Sequence, residues 1–288
     1  MPPLPNDALS LIAITLAAAV VNGALGYGFS SISVPLALFV VSQRVLNPAL
    51  VGIEVVLNAY VLWMNRAAAR AVIPRTLPIV AGLVPGVAIG VLILSRVQPS
   101  WLKLATYAAL LPLILLQAAG YRRPIRRERA FGAAFGVGVG TLYAVTTISG
   151  PPLATALNNQ GFSKQEFRAA LGFVRLAESS FTAVAYLATG LGGGESLGLA
   201  TLMLPSLLIG VPLGGFVIRH VDAETFRRCC MSFDAWIVGF GLSVLLRDLQ
   251  IVRSAAAYLA LLAVVVIDAW LLARFFGRRR AAAISSEA

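Results

Sequence analysis

Long apolar runs, most of them close to the length of one membrane span, follow one another along almost the whole chain. They cover residues 8–42, 48–65, 76–95, 101–119, 130–160, 168–189, 197–218, 229–246 and 254–276. A hydrocarbon core about 30 Å thick is crossed by a helix of about 20 apolar residues, and lipid tolerates only helices or closed barrels. The runs therefore predict an all-α integral membrane protein with a polytopic helical bundle.

The composition excludes the soluble classes of protein. Apolar residues make up 59% of the 288 residues and charged residues only 12%, whereas soluble domains hold roughly 45–50% and about 25%. The two cysteines, Cys229 and Cys230, are adjacent, which excludes a disulfide framework. The net charge of +11 comes from short basic clusters between apolar runs. It therefore indicates a topology signal and a lipid bilayer as surroundings, with no nucleic-acid partner.

Two runs, 8–42 and 130–160, are too long for one span and are interrupted near their middles. The interruptions at 22–35 and 138–152 are rich in Gly, Ser and Thr and end in Pro. Each interrupted run is followed by three ordinary ones, and the second set has one more. This order predicts two copies of one unit, each with a broken or re-entrant helical hairpin followed by three spans, plus one extra C-terminal span.

A shift of 116 residues superposes the two interruptions. It places like residues on one another at Tyr27 and Tyr143, Ile32-Ser33 and Ile148-Ser149, and Pro35 and Pro151. The division of the chain that follows is a first transmembrane repeat at 1–120, a basic cytoplasmic loop at 121–129, a second transmembrane repeat at 130–247, an additional transmembrane helix at 248–276 and a cytoplasmic tail at 277–288.

The placement of basic residues supports an inverted relation between the repeats. If each interrupted run is a hairpin and the N-terminus is outside, most of the 23 Lys and Arg residues lie on the cytoplasmic side, as the positive-inside rule requires. If the runs instead cross as single spans, the loops at 164–168 and 219–228 sort differently, so both arrangements stay open. Hairpins give inverted repeats in the cell inner membrane with a cytoplasmic C-terminus, an arrangement typical of secondary transporters.

The interruptions are candidate binding segments. Backbone freed at membrane depth must be buried in protein or line a wet cavity, and the N-terminus of a half-helix suits an anion. The candidate residues are Gly26, Gly28, Ser30, Ser31, Ser33, Thr146, Thr147, Ser149 and Gly150. The alternative is that the glycines only allow close helix packing and that the hydroxyls bond to carbonyls four residues earlier.

Ionisable residues inside apolar runs form a second group of candidates, because a charge at the bilayer centre needs a partner or water. Arg175 is predicted to face the anion, since its planar fork suits a sulfonate or carboxylate. Glu54, Asn58 and Glu178 are predicted to pair with charge or to carry a coupling proton, because burial disfavours the charged form of a carboxylate. The alternative is a structural ion pair of Arg175 with Glu178 or Glu54.

Two further acids, Asp234 and Asp268, also lie in apolar runs. The first, close to Arg227 and Arg228, is predicted to be a topology residue or to pair with one of them, and the second to be paired or interfacial. No cluster of His, Cys and carboxylate residues has metal-ligand spacing, so neither a metal nor another cofactor is expected.

The first interruption resembles a motif of the sulfite exporter TauE/SafE family, also called the toluene sulfonate uptake permeases. Members show Gly-x-Gly-Gly-Gly-x4-Pro near the start of each half, and residues 26–35 have this spacing with Phe29 and Ser30 in place of two glycines. In the second half, residues 149–152, Ser-Gly-Pro-Pro, resemble the family's Gly-Gly-Pro. The Phe-Arg-Ala at 167–169 is also similar to the family pattern.

The resemblance implies an integral membrane permease, not an enzyme, that moves a small anion such as sulfite or an organosulfonate. Alternating access, with protons as a coupling ion, is the mechanism expected of such a permease, and an oligomer is compatible with it. Two alternatives stay open from the residues alone: an anion-selective channel that uses the same segments, and a membrane scaffold that transports nothing.

Overall fold

The computed structural model of the protein describes residues 5–26, 28–119, 128–158, 160 and 162–287. These residues form α-helices and one 3₁₀ turn, with no strand among them, which confirms the all-α prediction. The helices are α1 Pro5–Leu25, α2 Phe29–Ala37, α3 Gln43–Met64, α4 Arg66–Arg96, α5 Pro99–Ala118, α6 Glu128–Thr146, α7 Gly150–Asn158, α8 Lys164–Ala188, α9 Gly194–Val217, α10 Ala223–Asp248, the 3₁₀ turn Ala255–Tyr258 and α11 Leu259–Glu287. Residues 121–127 of the predicted basic loop and Tyr27 lie outside the described residues.

Seven stretches among the described residues are long and apolar enough to cross a membrane, and they lie in α1, α3, α4, α5, α9, α10 and the last helix. In α6 the apolar stretch is shorter, Phe131–Thr146. The 25 residues of α8 include Arg175 and Glu178 in the middle of the helix. Together these helices make a multi-pass membrane protein.

Both predicted interruptions are real breaks in the helices. The first separates α1 from α2, and its glycines adopt positive φ angles of 81° at Gly26 and 101° at Gly28. Glycine reaches this left-handed region without a steric penalty, which explains the residue type at both positions. The second break separates α6 from α7, and Thr147 has a φ of 57° there.

The two halves pack in a reciprocal manner. Helix α4 of the first half lies along α6 of the second, and their counterparts α9 and α1 lie along each other. Helix α3 packs against α8 and α5 against α10, which are the pairs that the predicted repeat makes equivalent. The half-helices follow the same rule, since α2 contacts α10 and α7 contacts α5.

Glycines set the close approach at the two reciprocal contacts. A Cβ atom at Gly82 of α4 would lie 2.1 Å from the carbonyl oxygen of Ala133 in α6. At the α1–α9 contact, a Cβ atom at Gly214 would lie 1.9 Å from the carbonyl oxygen of Val20. Because real Cβ atoms do not come so near, backbone touches backbone at both places, as is common where helices meet in membranes.

The helix boundaries give a different repeat register from the predicted one. The starts of α2 and α7, at Phe29 and Gly150, differ by 121 residues, and so do the starts of α3 and α8. The predicted shift of 116 residues was therefore wrong. It matched two prolines by type, but Pro35 lies inside α2, whereas Pro151 is in the first turn of α7, where proline is tolerated.

The contacts of α4 show where the broken helices begin and end. Gly132, near the start of α6, lies against Pro78, and the Arg75 guanidinium donates to the carbonyl oxygen of Gln160, just after α7, at 2.8 Å. The pair α6–α7 thus starts and ends beside the first half of α4. Arg44, at the start of α3, instead donates to carbonyl groups at the other end of α4. The inverted duplication stays a prediction, and this placement supports it.

The last helix is attached through a buried ion pair. Arg228 of α10 donates to Asp268 of α11 at 2.7 Å, and both side chains are buried. The predicted pairing of Asp268 is therefore confirmed. The predicted pairing of Asp234 with a neighbouring arginine was wrong, because Arg228 is turned toward α11 and Arg227 pairs with Glu224.

Candidate functional site

A buried polar seam runs along the contact between α3 and α8, the two equivalent helices at the centre. On α3, polar residues lie at Gln43 and at 4, 11 and 15 residues after it, which places all four on one helical face. The α8 side has the same character. The members of the seam are Gln43, Asn47, Glu54 and Asn58 of α3 and Arg175, Glu178, Ser179, Thr182 and Tyr186 of α8, all of them buried.

Glu54 is the hub of this seam. Its Oε1 atom accepts from the Arg175 guanidinium at 2.8 Å and from the hydroxyl of Ser30 at the first break. Its Oε2 atom accepts from the hydroxyl of Tyr143 in α6 at 2.6 Å. Glu54 and Arg175 are 121 residues apart, the same offset as between the starts of α3 and α8, so the ion pair joins matching positions along these two helices.

The second break is joined to the same seam through Glu178. The hydroxyl of Ser149, just before α7, donates to Oε2 of Glu178, and Oε1 of Glu178 has no partner. Glu178 lies one helical turn from Arg175. The Arg175 guanidinium is nevertheless paired with Glu54 and not with Glu178. Of the two ion pairs that the sequence left open, the structure has the one with Glu54.

Side chains of the seam also bond the backbone that the second break sets free. The carbonyl oxygen of Val145 accepts from Asn47 Nδ2 at 2.7 Å and from Gln43 Nε2 at 3.2 Å. The carbonyl oxygen of Ala144 accepts from the hydroxyl of Tyr186. These bonds satisfy the last carbonyl groups of α6, which have no intrahelical partner.

The seam contains most of the buried polar atoms that lack a hydrogen-bond partner in the described part of the chain. They are Gln43 Oε1, Asn47 Oδ1, Asn58 Nδ2, Arg175 Nε, Glu178 Oε1 and Thr182 Oγ1. Buried polar groups are nearly always bonded to protein or to water, and a polar site holds ordered water where there is room. The seam therefore has bonding capacity left for water or for a polar solute.

The predicted hydroxyl residues divide into two groups. Ser33 and Thr146 donate to carbonyl oxygens four residues earlier, at 2.6 and 2.8 Å, as the local alternative proposed. Ser30 and Ser149 instead reach the carboxylates of the seam. Ser31 is buried on α2, and a binding role for it stays a prediction.

The two half-helix N-termini differ in their backbone donors. In α2 the first intrahelical bond runs from Ile32 to Gly28, which leaves the N–H groups of the three residues between them, Phe-Ser-Ser, outside the helical ladder. In α7 the first bond runs from Leu153 to Ser149, and the residues between are Gly-Pro-Pro. Proline has no N–H, so Gly150 is the one such donor there.

The sequence reasoning missed six residues of the site: Gln43, Asn47, Tyr143, Ser179, Thr182 and Tyr186. The spacing of 4, 11 and 15 residues on α3 was a signal for the amides, because polar residues on one face of an apolar helix point to a polar contact. Nothing comparable marks Tyr143, whose hydroxyl reaches the site from α6. Its importance follows only from the packing of that helix.

Replacing Thr147 by Gly is expected to stabilise the protein by about 1 kcal/mol, since a β-branched residue at positive φ is strained. The matched control is Thr146→Gly, which is expected to destabilise because Thr146 is helical and bonds back to Leu142. Thermal unfolding of the two purified variants provides the measurement. A lower melting temperature for Thr147→Gly would contradict the strain at this break.

Two broken helices, a buried polar seam joined to both breaks, and helices that cross a membrane several times define a polytopic membrane protein of transporter type. A sequence profile of the sulfite exporter TauE/SafE family matches residues 11–240. The chain therefore belongs to this family of membrane transporters, and the matched region includes both breaks and the whole seam. No curated protein and no solved structure matches the chain.

Proposed function

We propose that the protein is a permease for a small anion, sulfite or an organosulfonate, and that the anion binds in the seam between α3 and α8. One observation carries this proposal: the Glu54–Arg175 ion pair joins α3 to α8 and accepts from Ser30 at the first break, while the neighbouring Glu178 accepts from Ser149 at the second. Three of the neighbouring polar atoms without partners, Asn58 Nδ2, Arg175 Nε and Thr182 Oγ1, can donate to an oxyanion. Membership of the TauE/SafE family supports the class of substrate.

The charges of the seam couple anion binding to protons. Arg175 carries one positive charge, and Glu54 and Glu178 each carry one negative charge when ionised, so the ionised seam is net negative. An anion added to it would raise the buried negative charge further, at a high desolvation cost. Binding therefore requires that at least one carboxylate take up a proton, and anion and proton move together.

Arg175 is the group that changes partner. When Glu54 is protonated, it keeps its bonds with Ser30 and Tyr143 but no longer neutralises the guanidinium. The planar fork can then turn to the anion and bind two of its oxygens, with Nε as a donor that has no partner in the resting pair. Release of the anion restores the ion pair and expels the proton.

Alternating access follows from the position of the seam. It lies where equivalent helices of the two halves meet, and the broken helices approach it from different ends of α4. A rocking motion of one half against the other opens the seam to one side at a time.

The coupling is tested with the variant Glu54→Gln/Glu178→Gln in proteoliposomes. Without ionisable carboxylates, Arg175 is free to bind the anion at any pH, so sulfite exchange is expected to lose its pH dependence. A sulfite gradient should then no longer move protons, as read by an internal pH dye. The control is Glu224→Gln, on the exposed start of α10. Unchanged proton movement in the double variant would contradict coupling through these residues.

The other two functions left open by the sequence predict different flux. A carrier shows saturation and accelerated exchange when unlabelled sulfite is present on the far side, whereas an anion channel gives single-channel currents and no such acceleration. A scaffold gives no flux of sulfite or sulfonate above that of empty vesicles. Counterflow of labelled sulfite into vesicles loaded with unlabelled sulfite therefore separates all three.

A further inference from the structure

A cavity of about 370 Å³ opens at one end of the bundle, where α2 and α10 end and α3 and α5 begin. Its polar lining residues are Ser42, Gln43, Ser100, Lys103 and Asp248. The volume is far above the ~15 Å³ that a single water molecule requires. All of these elements meet at the side that the charge distribution predicts to be external.

Gln43 connects this cavity to the seam. Its Nε2 atom donates to the Thr106 hydroxyl at 2.8 Å and to the carbonyl oxygen of Val145, beside the second break, at 3.2 Å. The orientation of the amide is fixed by its two partners. The Thr106 hydroxyl donates to the carbonyl oxygen of Leu102, so a flipped amide would place Oε1 of Gln43 against two acceptors, Thr106 Oγ1 and the carbonyl oxygen of Val145. Oε1 of Gln43 is buried and has no hydrogen-bond partner.

The charges in the cavity favour an anion on one wall. Lys103 stands one turn into α5, and the N-terminal ends of α3 and α5 add partial positive charge beside it. Asp248 at the end of α10 also lines the cavity, and its charge acts on Lys103. A passing anion can therefore take the place of Asp248 as the counter-charge of Lys103.

We infer that this cavity is the external mouth of the anion pathway. Lys103 is the charge that attracts the anion, and Gln43 is the residue that links the cavity to the seam. The inference rests on the proposed transport function and names the route and the residues by which a small oxyanion enters. It further assigns Asp248 the opposite role, that of a charge which holds anions back.

The kinetic test compares three variants at low ionic strength. Lys103→Gln is expected to raise the apparent KM for external sulfite about threefold, the effect of one unit charge roughly 6 Å away in water, and Asp248→Asn to lower it by a similar factor. Both effects should shrink at high salt. Arg253→Gln, an exposed arginine on the same predicted side but outside the cavity, should change nothing. Equal KM values for all variants would overturn the inference.

A second test does not depend on transport. In a chain with Cys229 and Cys230 replaced by Ala, the variant Ser100→Cys is treated from outside with a membrane-impermeant anionic thiosulfonate. For each variant, the rate of reaction with the anionic reagent is divided by the rate with a cationic thiosulfonate. This ratio should be higher for Ser100→Cys than for Ser254→Cys, which lies on the same predicted side. Adding Lys103→Gln to Ser100→Cys should remove the difference.

The two tests have separable failures. Reaction of Ser100→Cys from the inside alone, or no effect of Lys103→Gln on it, would overturn the external mouth even with intact sulfite flux. Absence of anion flux in the unmodified protein would overturn the proposed function whatever the labelling shows.

Discussion

Arg175→Met is expected to abolish sulfite flux and to lower the melting temperature of the purified protein by about 10 °C. The substitution leaves Glu54 buried without its counter-charge, and removal of one partner of a buried ion pair costs about 3–5 kcal/mol, which for a chain of this size corresponds to a shift of that order. Flux is lost because no other positive charge lies in the described part of the seam. Thermal unfolding and proteoliposome uptake measure the two effects.

A second substitution separates the two effects. Adding Glu54→Gln to Arg175→Met removes the unpaired charge, keeps one acceptor oxygen for the hydroxyls of Ser30 and Tyr143, and offers the amide N–H groups to the other hydroxyl oxygen. Most of the lost stability is therefore expected to return, whereas flux stays absent. Recovery of flux in this double variant would show that Arg175 only neutralises Glu54 and that the anion binds elsewhere.

Gly214→Ala is expected to disrupt assembly of the two halves. The added Cβ would lie 1.9 Å from the carbonyl oxygen of Val20, so α1 and α9 must separate along their contact, and overpacking of this kind costs about 1–3 kcal/mol or more. A large fall in the yield of monodisperse protein after detergent extraction is expected, as measured by size-exclusion chromatography.

The neighbouring glycine provides the matched control. A Cβ atom at Gly215 meets nothing within 4 Å, so Gly215→Ala should leave yield and melting temperature unchanged. Gly86→Ala, at the reciprocal contact of α4 with α6, should behave like Gly214→Ala, because its Cβ would lie 2.3 Å from the carbonyl oxygen of Val137. Equal behaviour of the 214 and 215 variants would contradict the role of close packing.

The sequence alone could predict the helical fold and its two breaks. Span length and low charge fix the class of protein, and runs such as 22–35 contain more Gly, Ser and Pro than an unbroken span requires. Both breaks fall inside the predicted segments. The register of the repeat could not be read from residue types, because a proline is accepted both in the first turn of α7 and inside α2 for different local reasons.

The site could be predicted in its residues but not in its pairing. Glu54, Arg175 and Glu178 are visible as charges in apolar runs, yet a small rotation of α8 decides whether Arg175 faces Glu54 or turns along its own helix. That rotation is set by packing across the whole bundle. The amides of Gln43 and Asn47 lie near the start of a helix, where such residues are common, so their bonds to Val145 emerge only from the three-dimensional arrangement.

The unequal starts of α2 and α7 have a consequence for direction. A carrier built from two identical inverted units would be equally stable with its site open to either compartment. The two conformations would then be related by a two-fold rotation about an axis in the membrane plane. Here one tip offers Phe-Ser-Ser and the other Gly-Pro-Pro. Under the proposed alternating access, the empty protein is therefore expected to rest preferentially in one orientation, which would set the compartment that loads it first, before any gradient acts on it.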